Sequence, residues 1–516
     1  MPPIQILWVD DEIELLKPHI LFLETKGFVT TPCNGGQEAL ELIKQNNYEV
    51  VLLDENMPGL DGLETLALIK EYAPNLPVVM ITKNEEEDIM DDAIGAKIAD
   101  YLIKPVNPKQ VLLSLKKIIQ HGDLISEKTT LNYQKEFQKI SLELLSLSNA
   151  DEWKNFYKKL IFWELELENI KDKAMFEIFQ TQLKEANMLF GKFIEKQYPD
   201  WMNGSSEAPL LSHTLFKQQF IAPIKEKKTV LLVIDNLRFD QWRTILPHIT
   251  PHYVVEQERL YFSVLPTATQ YARNSFFAGL TPLEIKRQFP EYWKDDHEEG
   301  GKNMYEEQLL SGQLDRLQFQ GKSSFHKITS LSAAKQFLQK FPNYKNNQLL
   351  TVVYNFVDMI SHAKSEMEII KELAADNRGY RSLTQSWFKN SPLLELIKLA
   401  QENDFQLIIT TDHGTLNVDH PIEVVGDKES SLNLRYKTGR SLKYPVKNVM
   451  EVQDPEALQL PKTNMTSRYI FAKEGHYFVY PKGYNHYAKL FENTFQHGGI
   501  SMEEMIIPFV FLSPKR

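Results

Sequence analysis

Tyr48-Glu-Val-Val-Leu-Leu-Asp-Glu-Asn-Met-Pro-Gly-Leu-Asp-Gly62 decides how the first part of the chain folds. The run over 48–53 is short, mostly apolar and closed by turn-forming residues. That marks a strand buried on both faces. Similar runs stand on either side of it, over 4–9, 28–32, 77–81 and 100–103. The stretch 13–26 has helical spacing, and strands alternate with helical patterns throughout 1–120. The alternation predicts a (βα)5 parallel sheet with helices on both faces.

Sheets of this kind gather functional groups at the C-terminal ends of their strands. Asp10 and Asp11 follow the first predicted strand, Asp54 the third, Thr82 the fourth and Lys104 the fifth. Asp54 is placed to act as a carboxylate nucleophile toward a phosphoryl group. Asp10 and Asp11 offer the oxygen ligands that Mg2+ prefers, and Asn56 adds a backbone carbonyl. Lys104 supplies a point charge and Thr82 a hydroxyl, while Gly59 and Gly62 permit a tight loop. Any one of these residues is explained equally well as a cap or a solvated charge; the ordered set is not. With Asp10-Asp11, Asp54-Glu-Asn-Met-Pro, Thr82 and Lys104-Pro in place, residues 1–122 resemble the receiver domain of two-component response regulators. The resemblance implies a flavodoxin-like fold, phosphorylation of Asp54 by a sensor histidine kinase, bound Mg2+ and a switch aromatic at Tyr101.

At 516 residues the chain is too long for one ordinary core. Its 58 Lys and Arg against 69 Asp and Glu give a net charge of −11, which argues against a general nucleic-acid coat or a polybasic membrane binder. Cys33 is the sole cysteine, so no intrachain disulfide and no cysteine-based zinc or iron–sulfur site can form. No apolar run approaches the ~18–20 residues that span a bilayer, and the N-terminus lacks a leader pattern. A cytoplasmic protein, not an integral membrane one, is expected.

Residues 123–202 change character. No proline lies between Pro108 and Pro199, and apolar residues recur at helical spacing over 131–147, 153–167 and 175–193. A three-helix bundle serving as a linker domain is expected. Polar and turn-forming residues over 203–209 lead back to α/β patterning across 210–516, and a last domain over 203–516 is expected. Strands are predicted over 229–234, 350–356, 406–410 and 506–512, with a hairpin over 469–480 turning at 473–475.

This last region repeats the strand-end logic with different ligands. Asp235 ends one predicted strand; Asp358 follows another, with His362 four residues on; Asp412-His413-Gly414 follows a third. His497 stands before two glycines. Three Asp and three His suffice for two zinc sites of mixed nitrogen and oxygen ligation with open positions. Between them, the segment Leu265-Pro-Thr-Ala-Thr-Gln-Tyr-Ala-Arg-Asn-Ser275 can set a hydroxyl at a helix N-terminus. Each element alone is weak. The ordered set resembles the alkaline phosphatase superfamily, and the Pro-Thr-Ala-Thr-x-Tyr-Ala-Arg motif resembles the PglZ domain within it. The resemblance implies one zinc on Asp358, His362 and His497 and another on Asp235, Asp412 and His413. It favours Thr269 over Thr267 as the nucleophile that attacks phosphorus, and leaves the choice open. Arg273, Asn274 and Arg435 are candidates for binding phosphate or a base. His420, His476 and His486 read as packing or surface residues.

Receiver, helical bundle and PglZ-type domain in this order resemble the PorX family of response regulators of the type IX secretion system. The family implies zinc-dependent phosphodiesterase activity on nucleotides or oligonucleotides, and an output with no direct DNA-binding domain. It also implies phosphorylation-dependent homodimerisation and association with a secretion-system component or a sigma factor. Two other readings stay open: a degenerate PglZ domain that only binds and signals, and a metal-dependent phosphomonoesterase.

Overall fold

The computed structural model describes residues 4–83, 98–168, 173–355, 357, 372–374, 376–426 and 431–515, with 119–128 and 173 as backbone only. The chain divides into two compact units, Met1–Asn132 and Tyr133–Arg516.

In the first unit, β1 (Ile4–Val9), β2 (Phe28–Cys33), β3 (Val50–Asp54), β4 (Val78–Thr82) and β5 (Asp100–Ile103) form one parallel sheet in the order β2-β1-β3-β4-β5. This is the five-stranded parallel sheet expected. β3 and β4 are buried at every residue because apolar side chains cover both faces. Asp61 caps the helix Gly62–Tyr72 in a reciprocal box with Glu64, which fixes the end of the loop after Asp54. A Cβ on Gly62 would strike the backbone of Asp54 and Glu55.

The strands of the second unit are β6 (Thr229–Ile234), β7 (Tyr253–Phe262), β8 (Ser323–Ile328), β9 (Leu349–Tyr354), β10 (Gln406–Thr410), β11 (Leu416–Val418) and β12 (His420–Glu423). They continue with β13 (Tyr436–Gly439), β14 (Val449–Val452), β15 (Arg468–Ala472), β16 (His476–Val479), β17 (Thr494–Gln496) and β18 (Ile506–Pro514). The main sheet runs β7-β18-β10-β6-β9-β8. β8, β9, β6 and β10 are parallel, so their C-terminal ends share one edge; β18 runs antiparallel to β10, and β7 pairs antiparallel to β18 on the outer side. The predicted hairpin over 469–480 does not form. β15 pairs antiparallel with β13 and β14, whereas β16 pairs in parallel with β12. The chain leaves one sheet for another between them, because a turn at 473–475 serves a sheet change as well as a hairpin.

Three long helices, Pro108–Ser146, Ala150–Glu168 and Lys173–Met202, fill the linker region. The first runs through Gly122, since one glycine costs a helix interior only about 1 kcal/mol. From Tyr133 on, their apolar faces share one continuous core with the main sheet. Trp201 and Phe190 pack on Phe262 of β7, at 5.2 and 6.3 Å between ring centroids. The Tyr198 hydroxyl accepts the Leu265 amide at 2.8 Å, just before the Thr267–Thr269 segment. Among the described residues no helix is long and apolar enough to cross a membrane.

Candidate active site and phosphoacceptor site

The first unit sets Asp10, Asp11 and Asp54 at neighbouring strand ends, with one carboxylate oxygen from each within 4.8 Å of the others. Lys104 Nζ lies 2.9 Å from Asp10 and 2.9 Å from Asp54. Burial pushes the Asp54 carboxyl above its ordinary range, Lys104 pulls it back, and Asp10 and Asp11 push it up again. Burial would lower the Lys104 ammonium, but its hydrogen bonds to Asp54 and Asp10 leave it raised. One ammonium against three carboxylates leaves two charges over, which is what a divalent cation neutralises. The donors are all oxygen, as Mg2+ requires. Thr82 is buried beside them at the end of β4, Asn56 is exposed on the loop after Asp54, and Tyr101 on β5 is 40% exposed.

The second unit builds its site on the shared edge of the parallel strands. Asp235 follows β6, and its amide is held by the Tyr354 carbonyl at the end of β9. Asp412 and His413 follow β10. One ligand atom from each of Asp235, Asp412 and His413 falls within 4.8 Å of the others, and all three residues are buried. A Cβ on Gly414 would collide with the Glu503 carbonyl, so the turn after His413 is tight enough to demand glycine.

Thr269 is the first residue of the helix Thr269–Ala278, and its Oγ1 lies 3.2 Å from Nε2 of His413. Thr267 is engaged differently: its hydroxyl donates to the Gly499 carbonyl at 2.9 Å and accepts the Gly498 amide at 3.0 Å, fully buried. His413 Nδ1 donates to the Gly414 carbonyl at 3.1 Å, and His497 Nδ1 to the Thr267 carbonyl at 3.1 Å. A carbonyl can only accept, so each Nδ1 carries a proton and Nε2 is the ring nitrogen left to face a metal ion. The two rings stack with centroids 4.3 Å apart.

Those donors fit a divalent cation. Asp235 Oδ1 and Asp412 Oδ2 are buried with no hydrogen-bond partner. Burial raises the Asp235 carboxyl and Arg273 opposes the rise, while Asp412 adds to it. Carboxylate oxygens next to imidazole nitrogen suit zinc better than Mg2+. Asp358 and His362 lie outside the described residues.

The three candidate substrate-binding residues face inward. Arg273 is fully buried, with Nη1 2.6 Å from Asp235 Oδ2 and Nε 2.5 Å from Glu306 Oε1. Lys327 closes the chain at 2.9 Å from Glu306. Asn274 donates to the Lys302 carbonyl, and Arg435 is fully buried on Glu504 and the His476 carbonyl. Arg273 and Arg435 are ion-paired inside the fold and Asn274 is hydrogen-bonded there, so all three help to hold the scaffold around the site. Glu306 is the residue that sequence reasoning missed. Its partners, Arg273 and Lys327, are 33 and 21 positions away, and no local pattern marks such a pairing.

Comparison with known proteins divides the chain in the same order. Residues 6–116 match the response regulator receiver domain, 123–202 the PorX response regulator linker domain, and 216–512 the BREX system PglZ alkaline phosphatase-like domain. The transcriptional regulatory protein SrrA of Staphylococcus aureus is 33% identical over 116 residues, which are 22% of this chain and 48% of that protein. The chain thus spans about half the length of the curated relatives it matches. Among solved structures, the receiver domain of the Francisella response regulator 1452 is 27% identical, covering 23% of this chain and 97% of that one, with a TM-score of 0.22. A receiver domain protein from Clostridium thermocellum is 28% identical over 23% of this chain and 98% of that one, with a TM-score of 0.23.

Proposed function

The chain belongs to the PorX-type response regulators, which join a receiver domain to an alkaline phosphatase-like PglZ domain, and from that membership we propose that it is a phosphorylation-responsive, zinc-dependent phosphodiesterase acting on nucleotides or oligonucleotides. One observation carries the catalytic half. The Thr269 hydroxyl stands at a helix start, 3.2 Å from Nε2 of His413 and beside two buried carboxylates, each with one oxygen that makes no hydrogen bond.

Asp235, Asp412 and His413 are assigned to one ion, and His497 with Asp358 and His362 to the other. When bound, such ions lower the pKa of a nucleophilic hydroxyl and polarise phosphoryl oxygens. Thr269 Oγ1 attacks phosphorus, the alcohol on the opposite side leaves with a proton, and the remaining ester stays on the threonine until water cleaves it. The N-terminus of the ten-residue helix favours the negative charge that gathers beside Thr269. Arg273 keeps Asp235 aimed by holding its other oxygen.

In the receiver, Asp54 takes a phosphoryl group from a sensor histidine kinase while Asp10 and Asp11 hold Mg2+. The modified aspartate draws in Thr82 and repacks Tyr101, and the chain, mainly monomeric before, shifts toward a homodimer. A cytoplasmic setting, with a secretion-system component or a sigma factor as partner in type IX secretion, completes the proposal. The test of the catalytic half is metal analysis joined to turnover of a bis-aryl and a mono-aryl phosphate. Two zinc ions per chain and faster diester turnover are expected. Zinc without turnover would make the domain a binding module; preference for the monoester would make it a phosphatase.

A further inference from the structure

The helix Ala150–Glu168 buries Trp153, Phe156, Tyr157, Leu160, Ile161, Trp163 and Leu167 on one stripe, and Glu164 sits on that same stripe. A carboxylate buried in an apolar seam is unfavourable unless it is paired and hydrogen-bonded. Glu164 is both. Its Oε1 accepts from Arg381 Nη1 at 2.9 Å and from Asn377 Nδ2 at 3.2 Å. Arg381 also donates to Glu168 at 3.0 Å and to Asp240 at 2.6 Å. Asp240 in turn grips Arg238, through Nε at 2.8 Å and through Nη2. Burial would raise the Asp240 carboxyl, yet Arg238 and Arg381 together hold it well below its usual range. Two linker carboxylates are therefore wired into an ion cluster of the catalytic domain.

Arg238 is what makes this cluster more than packing. It stands three residues after Asp235. Its Cγ lies 3.4 Å from where a Cβ on Gly414 would be, next to His413. Its guanidinium lies 5.4 Å from the ring centroid of Phe495, two residues before His497, and 5.5 Å from that of Tyr380. Tyr380 donates to the carbonyl of Val357, the residue before Asp358, at 3.1 Å. Arg238 Nη1 reaches Asn377 Oδ1 at 2.9 Å, and Asn377 is the Glu164 partner already named. One side chain thus touches the neighbourhood of three segments that carry assigned metal ligands, those of Asp235, His413 and His497, and through Tyr380 it reaches Val357.

We infer that Glu164, supplied by the linker helix, is a positioning residue of the catalytic centre: through Arg381, Asn377 and Asp240 it fixes Arg238 and with it the geometry of the metal ligands. The linker is then part of the enzyme as well as a connection. This rests on the hydrolase reading above. The consequence is a handle for regulation, since any motion of Ala150–Glu168 that shifts Glu164 alters metal retention and turnover without touching substrate.

The test uses the full-length chain loaded with zinc. Zinc release to a chromophoric chelator, kcat and KM on a bis-aryl phosphate, and the thermal midpoint are measured for wild type, Glu164→Gln and Lys159→Gln. Lys159 pairs with Glu143 on the partly exposed side of the same helix and serves as the control. Well below its midpoint, Glu164→Gln is expected to release zinc about tenfold faster and to lose kcat by a similar factor, with KM nearly unchanged. A purely structural role would lower the midpoint and leave zinc release from the folded protein alone, and that result overturns the inference. Should Glu164→Gln fail to fold, Glu168→Gln loosens the same Arg381 from its rim, and unchanged zinc release there overturns it equally. A wild-type chain that holds no zinc contradicts the hydrolase reading instead, so the two failures are distinct.

Discussion

The two acidic sites of this chain start from one plan and end with opposite properties. Both stand at the C-terminal ends of parallel strands, and both set carboxylates around a single cation of the protein's own. In the receiver that cation is Lys104, a flexible point charge whose side chain is 16% exposed, and Asp11 is open to solvent. In the catalytic domain it is Arg273, fully buried, its planar fork clamped between Asp235 and Glu306. The receiver offers oxygen ligands alone, whereas the catalytic site adds imidazole nitrogen, with the Thr269 hydroxyl 3.2 Å from it. A site that must take up a phosphoryl group and release it needs an adjustable, accessible cation. A site that must pass many substrates through one transition state needs a fixed one.

The largest expected effect lies at the Thr269 hydroxyl. Thr269→Ala should keep its zinc and lose diester turnover by about a thousandfold or more. Thr267→Ala should behave differently, losing about 1–3 kcal/mol of stability as the Gly498 amide and Gly499 carbonyl lose their partner. Assays of turnover, zinc content and denaturant unfolding separate the two. Wild-type turnover in Thr269→Ala would break the comparison at its centre.

A crossed pair of substitutions comes next. Asp54→Asn should abolish label uptake from acetyl phosphate and leave zinc content unchanged. Asp235→Asn should lose zinc and still take up label. Loss of both properties in either variant would mean that the sites are not chemically separate.

Exchanging the cations tests why they differ. Arg273→Lys gives up the fork between Asp235 and Glu306, and kcat should fall about 10- to 100-fold. Lys104→Arg keeps its charge near Asp10 and Asp54, so the rate of Asp54 labelling should fall less than about tenfold. Equal losses in the two variants would remove the contrast between a fixed and an adjustable cation.

The smallest effect is on stability. Glu503 is buried under the turn after His413, and its carboxyl is pushed up to about 7 by burial, against the pull of Asn187. Its folded pKa exceeds its unfolded one, so its contribution is complete below about pH 4.5 and is lost as pH rises to about 7. The loss is at most about 3 kcal/mol. Glu503→Gln should flatten the fall in stability between those pH values, as read by denaturant unfolding. An unaltered slope would place the titration elsewhere.

The sequence revealed most where one face or both are buried. β6 and β10 were legible residue for residue because uninterrupted apolar runs have few alternative folds. β7 was not, since Tyr253–Phe262 carries Glu256, Gln257, Glu258 and Arg259 on an edge strand whose outer face meets solvent. The hairpin at 469–480 failed because turn chemistry announces a reversal without saying which strand will pair. Asp10, Asp54 and Lys104 were legible because strand-end position alone brings them together. The pairing of Arg435 was not legible because its partner, Glu504, lies 69 residues on, and sequence shows a charge but not what neutralises it. Glu164 left a trace that periodicity alone can find, an acid in register with seven apolar residues of its helix.

The most direct test of the hydrolase account is mass spectrometry of the full-length chain, quenched during turnover of bis(p-nitrophenyl) phosphate and digested. The account predicts a p-nitrophenylphosphoryl group on the peptide holding Thr267 and Thr269, assigned by fragmentation to Thr269 and absent from Thr269→Ala. A modification on Thr267, or steady diester turnover by the Thr269→Ala chain, would contradict it.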